Sequence, residues 1–517
     1  MNYKVNIGPL QSTAAGVIDA DLGTNARRNS PSASAQHSYV DTLDMDATIP
    51  LIVDLDGTLL RSDLLIETAF RRLGGNPSAA FGMLRALKTG KAALKQFICD
   101  DADCAPETLP YDDAVLGLIH RARDAGRKVY LASGSYENFV RAIATHLGVF
   151  DGYFATTPSV NLSGQNKAQC LIETFGLGKF DYIGNDAADL PVWKAARHPI
   201  AIRTSRSVAA KLREMAPNAF FLDHQRATLK SWTKQLRVHQ YAKNALVFLP
   251  MFAAHMFDVA SLLTATLAAV AFCFAASACY LLNDLVDLTD DRTHRSKKNR
   301  ALAKGEIPLI HAIIAIPILL LLAGAVSLSI SVAFAGVLAG YFMLTTLYTL
   351  RLKQVLLVDV LTLSGLYTIR MLGGAVALDI SLSSWLVVFS LSIFVSLALM
   401  KRFVELAARV DSKLPSPANR DYENIDLTML AALSAAAGFN AVTVLALYVS
   451  GYSVSSLYTH PDLLLFACPI LTYWIGRALI LAQRRQMQDD PVVFALKDPM
   501  SRLSGLAMLA VFVAASW

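Results

Sequence analysis

Five polar residues at the end of a long apolar run have the types and spacing needed to bind a divalent cation: Asn283, Asp284, Asp287, Asp291 and His294. If the helical phase of the run continues at about 100° per residue, all five lie on one face about 100° wide. Carboxylates at the mouth of a membrane helix usually face a water-filled cavity or a cation. Hard oxygen ligands suit Mg²⁺ that holds a substrate's phosphates. The pattern predicts Mg²⁺ at Asp284, Asp287 and Asp291, and the cations that follow, Lys297 and Arg300, suit the remaining phosphate oxygens.

A second set of polar residues predicts phosphoryl chemistry nearer the amino end. The apolar run 49–53 is typical of a buried parallel strand, and it ends at Asp54 and Asp56. Two acids one residue apart, followed by a glycine turn, allow one carboxylate to attack phosphorus while the other transfers a proton. A second strand at 128–132 ends at Ser133, whose hydroxyl suits phosphate binding. Open α/β sheets bind ligands at the carboxyl ends of their strands, so these residues are expected at one edge.

The elements that must position both sets divide the chain into a soluble front and a membrane back. The chain has 517 residues, of which 54% are hydrophobic, and the apolar excess lies almost wholly after residue 244. We predict a disordered leader at 1–48, an α/β domain at 49–225, a basic interfacial linker at 226–243 and a transmembrane domain at 244–517. Nine apolar segments come near the length of about 20 residues that spans a bilayer, at 244–258, 260–283, 307–327, 330–350, 355–378, 384–402, 427–449, 463–483 and 502–517.

The charges of the connecting loops predict the orientation. Basic residues fill the loops after the second, fourth, sixth and eighth segments, whereas the intervening loops hold no Lys or Arg. The positive-inside rule therefore predicts an integral protein of the inner or plasma membrane, with the soluble front and the active sites in the cytoplasm. The same rule explains the net charge of +6 without a nucleic-acid partner. The six cysteines show no metal-ligand spacing and are expected to be reduced.

Residues 49–225 resemble the haloacid dehalogenase (HAD) superfamily of phosphohydrolases. The resemblance rests on Asp54-Leu-Asp56-Gly-Thr, Ser133, Lys167 and the run Gly184-Asn185-Asp186-Ala-Ala-Asp189. It implies a Rossmannoid sheet with a small helical cap at 64–118, a nucleophile at Asp54, an acid and base at Asp56, and phosphate binding by Ser133 and Lys167. It also implies Mg²⁺ ligands at Asp54, Asp186 and Asp189. Many active members have aspartate where Asn185 stands, and an uncharged amide is a weaker ligand.

The run Asn283-Asp284-x-x-Asp287-x-x-x-Asp291-x-x-His294-x-x-Lys297-x-x-Arg300 resembles the first Asp-rich motif of the UbiA superfamily of membrane transferases. Arg295 and Ala301 stand where members commonly have prolines. The resemblance covers about 240–517 and implies an all-α bundle of about nine transmembrane helices. It also implies a diphosphate leaving group held through Mg²⁺.

Further polar residues at the same predicted membrane face concern the second substrate. Arg370 lies inside an apolar helix and is a candidate functional residue, with a structural salt bridge to Asp359 as the alternative. The loop after the sixth segment carries Lys401-Arg402-x-x-Glu405 and Tyr422 in place of a second acidic motif. This arrangement resembles the decaprenyl-phosphate phosphoribosyltransferase branch of the superfamily. The candidate substrate-binding residues of the back half are Asn283, His294, Lys297, Arg300, Tyr348, Lys353, Arg370, Lys401, Arg402, Glu405, Tyr422 and Lys497.

The reading we prefer is transfer of 5-phosphoribose from phosphoribosyl diphosphate to a polyprenyl phosphate, in cell-envelope precursor synthesis. The HAD domain would then remove the 5-phosphate of the product. Two alternatives stay open: a prenyltransferase acting on an aromatic acceptor, and a membrane anchor for a soluble phosphatase. The anchor is disfavoured because it needs no Asp-rich motif. A homo-oligomer is compatible with the sequence.

Overall fold

The computed structural model describes residues 46–99, 105–157, 160–222, 227–294, 297–416, 420–451, 458–487 and 490–516. The chain divides into two compact units. We call Met1–Gln235 together with Asp284–Ala312 the head unit, and Leu236–Asn283 together with Ile313–Trp517 the bundle unit. The leader predicted for 1–48 lies outside the described residues except for 46–48. The segment that carries the Asp-rich motif thus groups with the front of the chain.

A parallel β-sheet forms the centre of the head unit, as the sequence predicts. Its strands are β1 (Leu51–Val53), β2 (Val129–Tyr136), β3 (Gly152–Thr156), β4 (Asp181–Gly184), β5 (Pro199–Ile202) and β6 (Phe220–Leu222). All neighbours pair in parallel, in the order β3-β2-β1-β4-β5-β6. Strand β1 is central and fully buried, so both of its faces need apolar side chains. The residues that follow β1 therefore emerge in the middle of the carboxyl edge.

Helices precede, connect and follow these strands. They are α1 (Leu64–Gly75), α2 (Ala79–Thr89), α3 (Lys91–Cys99), α4 (Asp113–Asp124), α5 (Glu137–Leu147), α6 (Gln165–Phe175), α7 (Leu190–Ala195), α8 (Arg206–Met215) and α9 (Leu229–Gln235). Helices α1 to α3 form the helical insertion predicted after β1. Asp63 accepts a hydrogen bond from the Ile66 amide at the start of α1, and this cap fixes where the insertion begins.

Long apolar helices make up most of the rest of the chain. After α10 (Leu249–Ala253) come α11 (Val259–Val286), α12 (Leu288–Thr293), α13 (Leu309–Ile330), α14 (Val332–Leu350), α15 (Val358–Ala377), α16 (Ser384–Asp411), α17 (Leu427–Val449), α18 (Ala467–Gln483), α19 (Pro491–Lys497) and α20 (Pro499–Ser516). In the part of the chain that the structure describes, eight helices are long and apolar enough to cross a membrane. The helical membrane domain predicted from the sequence is confirmed, with eight such helices instead of nine.

The predicted span at 244–258 differs from a membrane helix. The chain forms a 3₁₀-helix over Val238–Phe248 and then the short helix α10, which has Pro250 in its first turn. Proline lacks an N–H donor and is tolerated at a helix start, so the regular helix begins there. At about 2.0 Å per residue for the 3₁₀ part and about 1.5 Å for α10, the segment is about 30 Å long, close to the thickness of the hydrocarbon core.

This irregular segment runs antiparallel to α11. The Leu236 carbonyl accepts a hydrogen bond from Ser277 Oγ (3.2 Å), Tyr241 OH lies 2.7 Å from the same hydroxyl, and Asn244 Nδ2 lies 3.1 Å from Cys273 Sγ. Leu236 is therefore beside the carboxyl-terminal part of α11, whereas Val259 begins that helix. Between these two residues the chain covers most of the length of α11.

Candidate functional sites

Two buried carboxylates of the Asp-rich motif meet on one arginine in the head unit. Asp284 lies in the last turn of α11 and Asp291 in α12, and both side chains are 2% exposed. Arg300 Nη1 lies 3.0 Å from Asp284 Oδ1 and also pairs with Asp291. Burial raises the pKa of Asp291 to about 6, although Arg300 opposes the shift. Two acids that share one cation in this way form a pocket suited to positive charge.

The helix that carries this motif does not continue as predicted. Helix α11 ends at Val286, Asp287 has φ −91° and ψ 12°, and α12 starts at Leu288. Short polar side chains compete for backbone hydrogen bonds, so aspartate is a common place for a helix to stop. The expectation of one continuous helical face through His294 is therefore wrong. His294 follows the last residue of α12, and Asn283 remains in α11.

A residue of the predicted linker completes the acidic cluster. Gln235 at the end of α9 is buried, its Nε2 donates to Asp284 Oδ2 (2.7 Å), and its Oε1 accepts from the Leu302 amide (3.3 Å). Lys297 Nζ lies 3.8 Å from Asp291 Oδ1. Within the described ranges, no three acidic, His or Cys side chains are arranged as a metal site. The carboxylates instead hold Arg300, which the sequence assigned to phosphate.

The residues predicted to act in phosphoryl chemistry gather at the carboxyl edge of the sheet, also in the head unit. Asp54 follows β1, and Lys167 Nζ of α6 lies 2.7 Å from its Oδ1. Burial raises the pKa of Asp54 to about 7 in spite of this lysine. Lys167 also donates to Tyr182 OH (2.9 Å). The lysine is therefore held beside the proposed nucleophile, where it can neutralise a transferring phosphoryl group.

The second acid is held by hydroxyl groups and a helix start. Asp56 Oδ2 accepts from Ser135 Oγ (2.5 Å) and Ser133 Oγ (3.3 Å), and its Oδ1 accepts from the Leu64 amide at the start of α1 (2.9 Å). Burial raises the pKa of Asp56. A carboxyl group with a raised pKa suits the acid and base role that the sequence assigned to it.

The run after β4 places its three polar residues differently. Thr58 Oγ1 lies 3.2 Å from both Asp54 Oδ2 and Asn185 Oδ1, so the Asn185 amide is beside the proposed nucleophile. Gly57 has φ +72°, and a Cβ there would lie 2.1 Å from Asn185 Nδ2. Asp189 turns toward Tyr182 OH (2.7 Å) and Lys167 (3.5 Å), whereas Asp186 caps the turn at Ala187. Metal binding by Asp186 and Asp189 stays a prediction.

Sequence reasoning missed one lysine of this site. Lys95 of α3 donates to the Gly134 carbonyl (2.9 Å) and to Asn161 Oδ1 (3.0 Å). Burial lowers its pKa, and the charge of Asp56 opposes the shift. The helical insertion thus reaches strand β2 at the residue after Ser133. A lysine in an amphipathic helix gives no signal of this in the sequence.

Two lysines share one carboxylate in the bundle unit. Lys401 Nζ of α16 lies 2.9 Å from Asp490 Oδ2, and Lys243 Nζ lies 3.5 Å from the same oxygen. Burial alone would raise the pKa of Asp490, but the two lysines hold it well below its usual range. Lys243 also lies over the Tyr367 ring, 5.5 Å from its centroid. We call Lys243, Lys401, Arg370, Tyr367 and Asp490 the cationic cluster.

Arg370 belongs to this cluster through the same ring. Its Cζ lies 5.6 Å from the Tyr367 centroid and 4.8 Å from that of Tyr341. Its Nε donates to Asn244 Oδ1 (2.9 Å) and its Nη2 to Tyr341 OH (2.8 Å). Asp359, the alternative partner, instead lies 3.1 Å from Arg402 Nε. These partners of Arg370 are uncharged.

Three of the other residues predicted for the second substrate, Arg402, Glu405 and Tyr422, meet around Asp359. Arg402 pairs with Asp359 and Glu405, and Arg420 Nη1 lies 2.9 Å from Glu405. Tyr422 OH donates to Asp359 Oδ1 (2.6 Å). Tyr348 lies near the end of α14, Lys353 in a 3₁₀ turn at Leu352–Gln354, and Lys497 at the end of α19. Lys401 and Arg402 are thus neighbours in sequence with different partners.

The profile of the UbiA prenyltransferase family matches residues 245–504. The chain belongs to the UbiA prenyltransferase family. The matched range includes the Asp-rich motif of this UbiA protein and, apart from Lys243, its cationic cluster. The match confirms the membrane-transferase assignment made from the sequence.

Two relatives and one solved structure describe the similarity further. An uncharacterized protein, y4nM, of Sinorhizobium fredii is 35% identical over 486 residues, which are 93% of this chain and 94% of that protein. A decaprenyl-phosphate phosphoribosyltransferase of Mycobacterium tuberculosis is 30% identical over 291 residues, 54% of this chain and 93% of that enzyme. The structure of a UbiA homologue from Archaeoglobus fulgidus bound to GPP and Mg²⁺ is 14% identical and covers 55% of this chain and 99% of that one, with a TM-score of 0.42.

Proposed function

We propose that this UbiA protein transfers 5-phosphoribose from phosphoribosyl diphosphate to a polyprenyl phosphate. A relative 30% identical carries the name decaprenyl-phosphate phosphoribosyltransferase, which supports the choice of substrates. The donor side of the reaction belongs to the acidic cluster. Asp284 and Asp291 converge on the Arg300 guanidinium. With Asp287, these two carboxylates would hold Mg²⁺. The metal would neutralise the diphosphate that leaves C1 of ribose, while Arg300 and Lys297 would bind its free oxygens.

The cationic cluster is the observation that carries this proposal. Lys243 and Arg370 lie over the Tyr367 ring, and Lys243 and Lys401 share the carboxylate of Asp490, so the cluster holds three cations and one acid. A phosphate monoester bears a charge of about −1.5 to −2 near pH 7, so an excess of positive charge suits it. A lipid phosphate is already ionised and needs only to be held and oriented, whereas an aromatic acceptor would need a base.

The direct test gives the purified protein both substrates with Mg²⁺ and looks for a ribosylated lipid. Asp287→Asn should lower the rate about a thousandfold or more, because a metal ligand of the leaving group is lost. Asp290 is exposed in the same segment, so Asp290→Asn is the matched control and should keep its activity. Equal rates in the two variants would contradict the donor site. Product from a prenyl diphosphate and a hydroxybenzoate alone would favour the aromatic alternative.

The sheet site of the head unit is proposed to remove the 5-phosphate from the product. Asp54 would attack phosphorus while Asp56 protonates the leaving oxygen, and Asp56 would then take a proton from the water that hydrolyses the phosphoaspartate and releases free phosphate. Lys167 and Ser133 would hold the phosphoryl group. The short contacts of Lys167 with Asp54 and of Ser135 with Asp56 support these roles. An enzyme fused to the transferase meets that product at high effective concentration. Mg²⁺ would be held by Asp54 with Asn185 beside it, and Asp186 and Asp189 remain further candidates.

We further propose that the irregular segment 236–258 crosses the membrane, which gives nine crossings with the eight long helices. The head unit and the basic loops would then lie in the cytoplasm and the end of α20 outside. A cysteine introduced at the exposed Asp258 should react with an impermeant maleimide in intact cells. A cysteine at the exposed Lys230 should react only after permeabilisation. The same response at both positions would contradict the crossing.

A further inference from the structure

Arg292 follows Asp291 directly and points into the α/β part of the head unit. Its Nη1 and Nη2 lie 2.8 Å and 2.5 Å from the two carboxylate oxygens of Glu67, in a bidentate pair. Both side chains are buried, with exposures of 5% and 9%. Its Nε donates to the Ala303 carbonyl (3.1 Å), which holds the far end of the same segment. A planar guanidinium with this many partners has one well-defined position.

Glu67 is itself fixed by the residues around Asp56. It lies in the first turn of α1, and the Leu64 amide at the start of that helix donates to Asp56 Oδ1 (2.9 Å). Ser62 Oγ donates to Glu67 and lies 3.4 Å from Arg292 Nη2. The position of Arg292 is therefore set by a helix anchored on the sheet.

Both ends of the Asp-rich segment fit closely against the same stretch. A Cβ at Gly74 in α1 would lie 2.7 Å from Val286 Cγ1, just before Asp287. Gly305 has φ +68°, and a Cβ there would lie 2.3 Å from the Arg61 carbonyl oxygen. A side chain at position 305 would meet backbone and an unfavourable φ, so this glycine permits the close approach. Val286, Arg292 and Gly305 thus each lie against residues 61–74.

We propose that Glu67 is a positioning residue for the transferase, and that the α/β domain is a scaffold for its donor site. The Glu67–Arg292 pair would hold the backbone on which Asp291 reaches Arg300 and Asp284. This role is separate from hydrolysis at Asp54 and rests on the donor site proposed above. The α/β domain would therefore support the transferase even if its own site at Asp54 had no hydrolase activity. The match to the mycobacterial relative covers 93% of that enzyme but only 54% of this chain. That enzyme would therefore hold its Asp-rich motif by other contacts.

The test compares full-length variants that change the pair with ones that do not. Glu67→Gln and Arg292→Gln each leave a buried group without its partner, so the Asp-rich segment should shift. We expect the KM for phosphoribosyl diphosphate to rise at least tenfold in each, with kcat changed less than threefold. The double variant should lose little more than either single one, because both act through one contact. The exposed Glu214→Gln should keep the original KM.

A readout without turnover separates this inference from the proposed reaction. Trypsin should cut after the basic residues of 297–304 faster in Glu67→Gln than in the unchanged protein or Glu214→Gln. If Glu67→Gln gives no folded protein, Glu67→Asp replaces it, since it keeps the charge on a side chain one methylene shorter. Unchanged cleavage and unchanged KM would overturn the scaffold role. If Glu67→Gln is cleaved faster but the unchanged protein shows no phosphoribosyl transfer, the scaffold role is supported and the proposed reaction is rejected.

Discussion

Replacing Lys401 with glutamine tests the acceptor site proposed for the cationic cluster. Lys401 Nζ lies 2.9 Å from Asp490 Oδ2, and Lys243 Nζ lies 3.5 Å from the same atom. When a lipid phosphate binds, both lysines can turn to its oxygens. Lys401→Gln removes one charged donor and leaves the other in place.

The size of the effect comes from the contact that is lost. A hydrogen bond to a charged group contributes about 1.5–3 kcal/mol, which corresponds to a change in affinity of about 10- to 150-fold. Lys401 must give up its contact with Asp490 to bind the phosphate, so the lower end applies. We expect the KM for the polyprenyl phosphate to rise about tenfold and kcat to change little, because the contact is present in both the bound substrate and the transition state.

Asp490→Asn is the matched variant, and it should change the KM for the polyprenyl phosphate in the opposite direction. Asparagine can keep the cap that Asp490 makes with the Val492 amide (3.0 Å), so α19 should form normally. Its loss of charge frees both lysines for phosphate, and the KM for the lipid should fall. The assay varies the lipid at saturating phosphoribosyl diphosphate, and the KM for the donor serves as control in both variants. A KM for the lipid that moves in the same direction in both would refute an acceptor site here.

Hydrolysis, acid stability and helix packing give three further measurements. With both transferase substrates and Mg²⁺, the intact protein should release free phosphate and Asp54→Asn should accumulate the phosphorylated lipid; equal phosphate from both would exclude that role. Burial alone would raise the pKa of Asp112, but Arg203 and Arg61 hold it below the usual 3.8. The ionised carboxylate therefore stabilises the folded protein above about pH 4, and this stabilisation is lost as the pH falls. Asp112→Asn should weaken the fall of the thermal midpoint below about pH 4, and an unchanged slope would contradict this. Gly374→Ala would place a Cβ 2.0 Å from the Val247 carbonyl oxygen and should cost about 1–3 kcal/mol. Gly365→Ala in the same helix meets nothing within 4 Å and should not lower the midpoint.

The sequence by itself determined the features that depend on neighbouring residues. Membrane helices follow from the lengths of apolar runs, and the strand before Asp54 follows from a short run that both sheet faces must bury. The Asp-rich motif could be assigned because its acids lie within one short segment. The same local reasoning failed at Asp287, where a side chain that competes for backbone hydrogen bonds ends α11.

Only the tertiary structure decided which charges meet. Lys401 and Asp490 are 89 residues apart, and Arg292 and Glu67 are 225 apart, so no spacing in the sequence pairs them. Gln235 lay in a stretch read as a linker, yet it bonds Asp284. A buried charge requires a partner of opposite sign or several hydrogen bonds, but many residues can supply these, and folding selects among them. Short sequence motifs therefore indicate the types of chemistry, whereas the packing of distant segments decides which acid pairs with which cation.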